Sequence, residues 1–188
     1  MKKYFLFSVY FFAISILFNT KVYSQWPIDS LTGKVSISGI IEAKGIGKDK
    51  LHGILKSWAA DYFKNSKYPL DIDEKEYGKL VYKGIIIAEP QKYLGVLADY
   101  GHFWVTVKFW IKDEKVKYEF TNFIHEKGMS KYAYNCGSFE NLDCGTMVIM
   151  NRDKWNNMKQ ALIKEIKTDV ENIKKRIGKD EFDFRNIY

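Results

Sequence analysis

Two runs of alternating residues, His102–Lys112 and Lys115–His125, flank the pair Asp113-Glu114 and constrain this chain more than any other feature. Side chains along a strand point to opposite faces in turn, so each run reads as a strand with two unlike faces. With the turn at Asp113-Glu114, opposed residue numbers sum to 227, which pairs Lys108 with Glu119, Thr106 with Thr121 and Val107 with Phe120. Each such cross-strand pair contributes up to about 1 kcal/mol. Asp-Glu is a poor two-residue turn, because tight hairpin turns want glycine second; a four-residue loop over Lys112–Lys115 keeps the same register. One face carries Phe103, Val105, Val107, Phe109 and Ile111 opposite Ile124, Asn122, Phe120, Tyr118 and Val116, and is expected to lie against helices. The other carries His102, Trp104, Thr106, Lys108 and Trp110 opposite His125, Phe123, Thr121, Glu119 and Lys117.

The flanking segments supply the rest of a sheet and its cover. Lys34–Ala43 alternates, with Val35, Ile37 and Ile41 on one side and Ser36, Ser38 and Glu42 on the other. Over Lys48–Asn65 the period changes: Leu51, Ile54, Leu55, Trp58, Ala59, Tyr62 and Phe63 recur at three and four, which makes an amphipathic helix. On this helix His52 is read as a partly exposed residue. Leu70–Asp73 and the β-branched stretch Lys79–Ala88 read as strands. Gln91–Gly101 reads as a loop or a short helical turn. From a cap at Asn151 or Asp153, the stripe Trp155, Met158, Leu162, Ile166, Val170, Ile173 and Ile177 predicts a helix of about 25 residues, roughly 37 Å long, ending at Gly178 as a left-handed cap. The predicted fold class is therefore α+β: an antiparallel sheet of four to five strands with two amphipathic helices on one face.

The beginning of the chain has a different character. Met1-Lys2-Lys3-Tyr4 precedes an apolar run, Phe5–Phe18, and a polar stretch ending in small residues. Such a run is short of the roughly 20 residues that span a bilayer, and the pattern is that of a cleaved signal peptide over residues 1–24. This leaves residues 25–188 as one domain, with its core over about 33–177, exported to the periplasm or medium without an anchor. That segment holds three lysines and no acid, so removing it lowers the net charge from +7 to +4. Acids and lysines interleave along the remainder, which reads as a solvated surface. Export permits the two cysteines, Cys136 and Cys144, to pair. The loop they close is short, and its entropy contributes roughly 2–3 kcal/mol.

Several short stretches carry a family likeness. They are Pro27-Ile28-Asp29 leading into Thr32-Gly33-Lys34-Val35, then Gly39-Ile40-Ile41-Glu42, and Trp58 with Phe63. Gly78-Lys79-Leu80-Val81 with Lys83-Gly84 and the hairpin Val107–Asn122 complete the set. Together they resemble the secreted bacterial domains of unknown function described as having a TBP-like fold, over roughly residues 27–125 and the last helix. The resemblance implies a curved antiparallel sheet, β-α-β(3-4)-α in order, with helices on one side. It implies no activity. Residues 126–150, which hold the cysteines, depart from the pattern and read as an insertion.

No residue set identifies an enzyme. His52, His102 and His125 lie in no zinc-binding or nucleophile motif, and no P-loop or dinucleotide fingerprint is present. In the 227 register His102 stands opposite His125, read as an aromatic cross-strand pair without a third ligand for a metal. No catalytic residue, metal or cofactor is assigned. The DNA-binding use of the TBP sheet is not carried over, because the charge is modest and Glu119 sits on the face that would meet phosphate. The expected function is a non-catalytic exported cell-envelope binding or accessory module, which uses the open sheet face to meet an unidentified envelope protein or ligand, or only supports a neighbour in the envelope. Its candidate binding residues are Trp104, Lys108, Trp110 and Phe123. The alternative is a hydrolase-like secreted enzyme with a site near 126–150, around Tyr132 and Tyr134.

Overall fold

The computed structural model describes residues 26–63, 69–88, 91–93, 96–98, 100–128, 135–144 and 150–185. The signal segment 1–24, and Tyr132 and Tyr134, lie outside them. In chain order the elements are β1 (Ser36–Glu42), α1 (Lys48–Tyr62), β2 (Leu70–Glu74), β3 (Lys79–Ile87), β4 (Gln91–Tyr93), β5 (Val96–Ala98), β6 (His102–Lys112), β7 (Lys115–Glu126), β8 (Gly137–Ser138) and α2 (Arg152–Arg185). The main sheet is antiparallel, in the order β1-β7-β6-β3-β2, and β8 adds a sixth strand against β7. The expected count of four to five strands omits β8, a two-residue strand too short to carry a periodic signal. Gln91–Gly101 is neither a plain loop nor a helical turn, since β4 and β5 pair there as a small hairpin of their own.

Both helices lie on the predicted apolar face. Trp58 of α1 meets Phe109 edge-on at 5.8 Å, and Trp155 of α2 stacks on Phe103, also at 5.8 Å. The stripe of α2 is buried from Trp155 to Ile177. Gly84 of β3 sits under Phe63, whose ring would collide with any β-carbon there, so glycine lets helix and sheet approach closely. At the N-terminus of α2, Asn151 caps the helix by accepting the Lys154 N–H at 2.9 Å.

Two helix expectations need correction. α2 runs straight through Gly178 to Arg185 and is 34 residues long. A mid-helix glycine costs about 1 kcal/mol, little against the burial of the stripe beside it. His52 is buried, not partly exposed, and its Nε2 meets Asp73 Oδ1 at 2.8 Å, tying α1 to β2.

The hairpin turn also has an explanation outside itself. Asp113 and Glu114 form a two-residue loop between Lys112 and Lys115, with only Glu114 at positive φ. Asp113 Oδ1 accepts the Lys48 N–H at 2.7 Å, capping α1, whose own cap position, Gly47, offers no side chain. Glu114 Oε1 accepts the Gly45 N–H at 2.8 Å. The acids that make a poor turn serve to bind the β1–α1 loop.

Candidate functional site

The helices leave the other face of the sheet open. From Thr106 to Lys112 the hairpin keeps the predicted register, including Lys108 opposite Glu119, Thr106 opposite Thr121 and Val107 opposite Phe120. Between Thr106 and Trp104 the register shifts: Asn122 and Phe123 together oppose Val105. Asn122 takes φ 55°, the left-handed region that asparagine tolerates better than most residues. This is a β-bulge, and one extra residue turns every following side chain to the other face. The Lys34 ammonium holds Asn122 Oδ1 at 2.7 Å.

The bulge overturns part of the expected site. Phe123 is not on the open face; it is 1% exposed, packed against Phe139 at a centroid distance of 5.6 Å. Trp104 pairs with Ile124 instead, and Ile124, expected on the helix side, stands on the open face. His102 pairs with Glu126, and His125 with Phe103, so the two imidazoles do not face each other.

His125 is fully buried. The Cys136 N–H donates to its Nδ1 at 3.2 Å, so Nε2 carries the proton and donates to the Tyr100 carbonyl at 2.7 Å. Burial lowers its pKa, the charge of His102 adds to that, and the Tyr100 hydrogen bond opposes it.

Trp104, Lys108 and Trp110 do stand on the open face, in three different settings. Trp104 is 42% exposed, flanked by Ile124 at 48% and near Ile87 at 60%. Its Nε1–H donates to Glu126 Oε2 at 2.6 Å, and His102 lies edge-on to the indole at 5.7 Å. The polar edge of the ring is thus satisfied while its apolar body meets water. Lys108 is engaged with Glu119 at 3.2 Å, and Ser36 Oγ donates to the other oxygen of Glu119 at 3.1 Å. Trp110 is half-buried under the Lys117 ammonium, 5.1 Å from its centroid. Sequence reasoning missed Ile124, Ile87 and Glu126 as members of this surface. The available signal was Asn122 itself, a residue depleted from strands, at the point where buried phenylalanines are spaced by three (Phe120, Phe123) in place of two.

The cysteine segment closes the base of the core. Cys136 and Cys144 are disulfide-bonded. Phe139 between them is fully buried against Trp26, Phe103 and Phe123. The Asn141 carbonyl accepts from Trp155 Nε1 at 2.9 Å and from Lys159 Nζ at 2.6 Å. Burial of the Lys159 ammonium lowers its pKa to about 8, with Glu140 pulling the other way.

An open antiparallel sheet backed by two helices on one face defines the class: an α+β domain of TBP-like fold. Residues 38–126 match the family described as a domain of unknown function (DUF4468) with TBP-like fold. Among solved structures, the fold is similar to that of a TBP-like protein from Parabacteroides distasonis, with a TM-score of 0.54 at 14% identity over 77% of this chain and 94% of that one. It is also similar to a DUF4468 family protein from Bacteroides ovatus, with a TM-score of 0.51 at 16% identity over 78% of this chain and 89% of that one. At these identities the likeness is one of fold. No curated protein matches the chain.

Proposed function

We propose that this is an exported, non-catalytic binding module that meets an envelope protein through the base of its open sheet face. The exposed Trp104 ring carries the reading. A tryptophan in a middle strand, its N–H already bonded to Glu126 and its body flanked by exposed isoleucines, loses apolar exposure only when something covers it. Trp110 and Lys108 extend the surface toward the turn as a polar, partly closed continuation. Glu119 and Glu126 on the same face argue against phosphate backbones as the partner. Export is supported by the charged and apolar pattern of residues 1–24 and by the disulfide. Among the described residues no helix is long and apolar enough to cross a membrane.

The test compares Trp104→Ala with the unaltered domain for denaturation midpoint and for binding to fractionated envelope proteins, with the blue shift of tryptophan emission as readout. The expected result is a nearly unchanged midpoint with the shift and the binding lost. A loss of about 3 kcal/mol or more, the size for a buried aromatic, would make the ring core and end the proposal.

A further inference from the structure

On the other side of the molecule the two helices part. Between them lies a cleft of about 410 Å³, at the small end of the roughly 300–1,000 Å³ range of ligand sites. Asp169, Asn172, Arg176 and Lys179 line it from one face of α2, at spacings of three, four and three. Asn172 and Lys179 of this row are exposed and Arg176 is half-buried, as on the solvent side of a surface helix, whereas Asp169 is buried.

Its charges are ordered along the helix. At one end Asp169 is 7% exposed; Tyr62 of α1 donates to its Oδ2 at 2.6 Å, and among the described residues no cation lies within ion-pair distance of it. Buried carboxylates are ordinarily paired, and a lone tyrosine hydroxyl supplies no charge. Burial pushes the Asp169 carboxyl up to about 6, against the Tyr62 hydrogen bond. Desolvation and the neighbouring acids Asp169 and Glu165 raise the Tyr62 phenol well above its usual range, so it remains a donor. Toward the other end Arg176 is held by Asp61 of α1 at 2.8 Å, which bridges the helices and leaves Lys175 and Lys179 as the positive rim. Lys175 lies six residues beyond Asp169, about 9 Å along the axis at 1.5 Å per residue. The cleft is therefore dipolar, with a buried negative end and an exposed positive one.

We propose that this cleft is a small-molecule site whose ligand presents an ammonium group to Asp169 and a carboxylate to Lys175 and Lys179, as the two termini of a dipeptide do. Phosphate or a simple dicarboxylate suits the rim but meets repulsion at Asp169. A simple amine suits Asp169 and meets repulsion at the rim. Only a dipolar ligand satisfies both ends.

The probe is dialanine, compared with its N-acetylated form, which lacks the ammonium, and its C-terminal amide, which lacks the carboxylate. The readouts are the NMR titration of the Asp169 carboxyl carbon and calorimetric affinity. Dialanine is expected to lower the Asp169 midpoint by about one pH unit, a tenfold preference of the ligand for the ionised form. The acetylated form should leave the midpoint unmoved, and the amide should bind several-fold more weakly than dialanine. Asp169→Asn, which can still accept the Tyr62 hydrogen bond, should weaken dialanine binding at least tenfold. Lys175→Gln with Lys179→Gln, both on exposed positions, should weaken it without disturbing the fold. The proposal is overturned if dialanine leaves the Asp169 titration unmoved at about 10 mM, or if acetylated and free peptide bind alike. Unchanged affinity in Asp169→Asn, or in the double lysine variant, overturns it as well.

Discussion

The two halves of the β6–β7 hairpin obey different rules. Toward the turn, alternation alone decides which side chains are buried: Val107, Phe109, Ile111, Val116 and Phe120 face α1 and α2, and Lys108, Glu119 and Lys117 face solvent. Toward the base, beyond Asn122, the phase is inverted on β7 only. There Phe123 and His125 enter the core, and Ile124 is put out beside Trp104. The turn half is held by backbone pairing and by acids that grip the neighbouring loop. The base half is held by a plug: Phe139, carried on a disulfide-closed segment, fills the space between Trp26, Phe103 and Phe123. A single left-handed residue therefore separates a half in which alternation alone decides burial from one in which a plug from a distant part of the chain decides it, and the same residue puts Ile124 on the open face beside Trp104.

The largest expected effect sets Phe123 against Trp104. Phe123→Ala should destabilise by about 3–5 kcal/mol in a denaturant titration, as buried phenylalanines do, while Trp104→Ala should cost far less. Equal losses would mean that the inverted phase is absent in solution.

Next comes the plug. Replacing Cys136 and Cys144 together by alanine should cost about 2–3 kcal/mol, from the loop entropy of an eight-residue separation. In hydrogen exchange, the amides of Phe123 and Phe139 should lose protection and those around Lys108 should not; uniform loss along the hairpin would erase the distinction between the halves.

At the junction, Asn122→Val should cost about 1–2 kcal/mol, because a β-branched residue is strained at positive φ. Asn122→Gly should be tolerated within a few tenths beyond the loss of the Lys34 contact. If valine is accepted as readily as glycine, the bulge is not where the phase changes.

The smallest effect is the pH response of the base. The folded pKa of His125 lies below its ordinary value of 6.5. The unfolded chain thus takes up the proton first, and the stability contributed above about pH 6.5 is lost as the pH falls through the folded value. A proton on Nδ1 would also meet the Cys136 N–H head-on. Asp169 acts in the opposite sense: its raised pKa favours the fold below about 4, an advantage lost as the pH rises through about 6. The measurement is therefore the difference between the unaltered domain and His125→Gln from pH 7.5 to 5. The unaltered domain should lose more stability on acidification, and parallel curves would remove His125 as the cause.

Short-range rules determined much of this protein. The strands β1, β3, β6 and β7, the stripes of α1 and α2, the cysteine pairing and the pairing of Lys108 with Glu119 all follow from rules that act over a few residues or across one turn. These are alternation, helical spacing and loop closure. What only the tertiary structure decided lies where one element answers another. Asp113 caps a helix 65 residues away in sequence. His52 finds Asp73 across two elements. Gly178 remains helical, and Asp169 faces α1 in a cleft that neither helix reveals alone. The bulge belongs to the same class. Asn122 is permitted a left-handed backbone by its own chemistry, but the lysine that holds it and the phenylalanine plug that welcomes the inverted side chains come from Lys34 and Phe139. Burial and hydrogen bonding between distant segments are many-body properties of the packed chain, and a window along the sequence does not contain them.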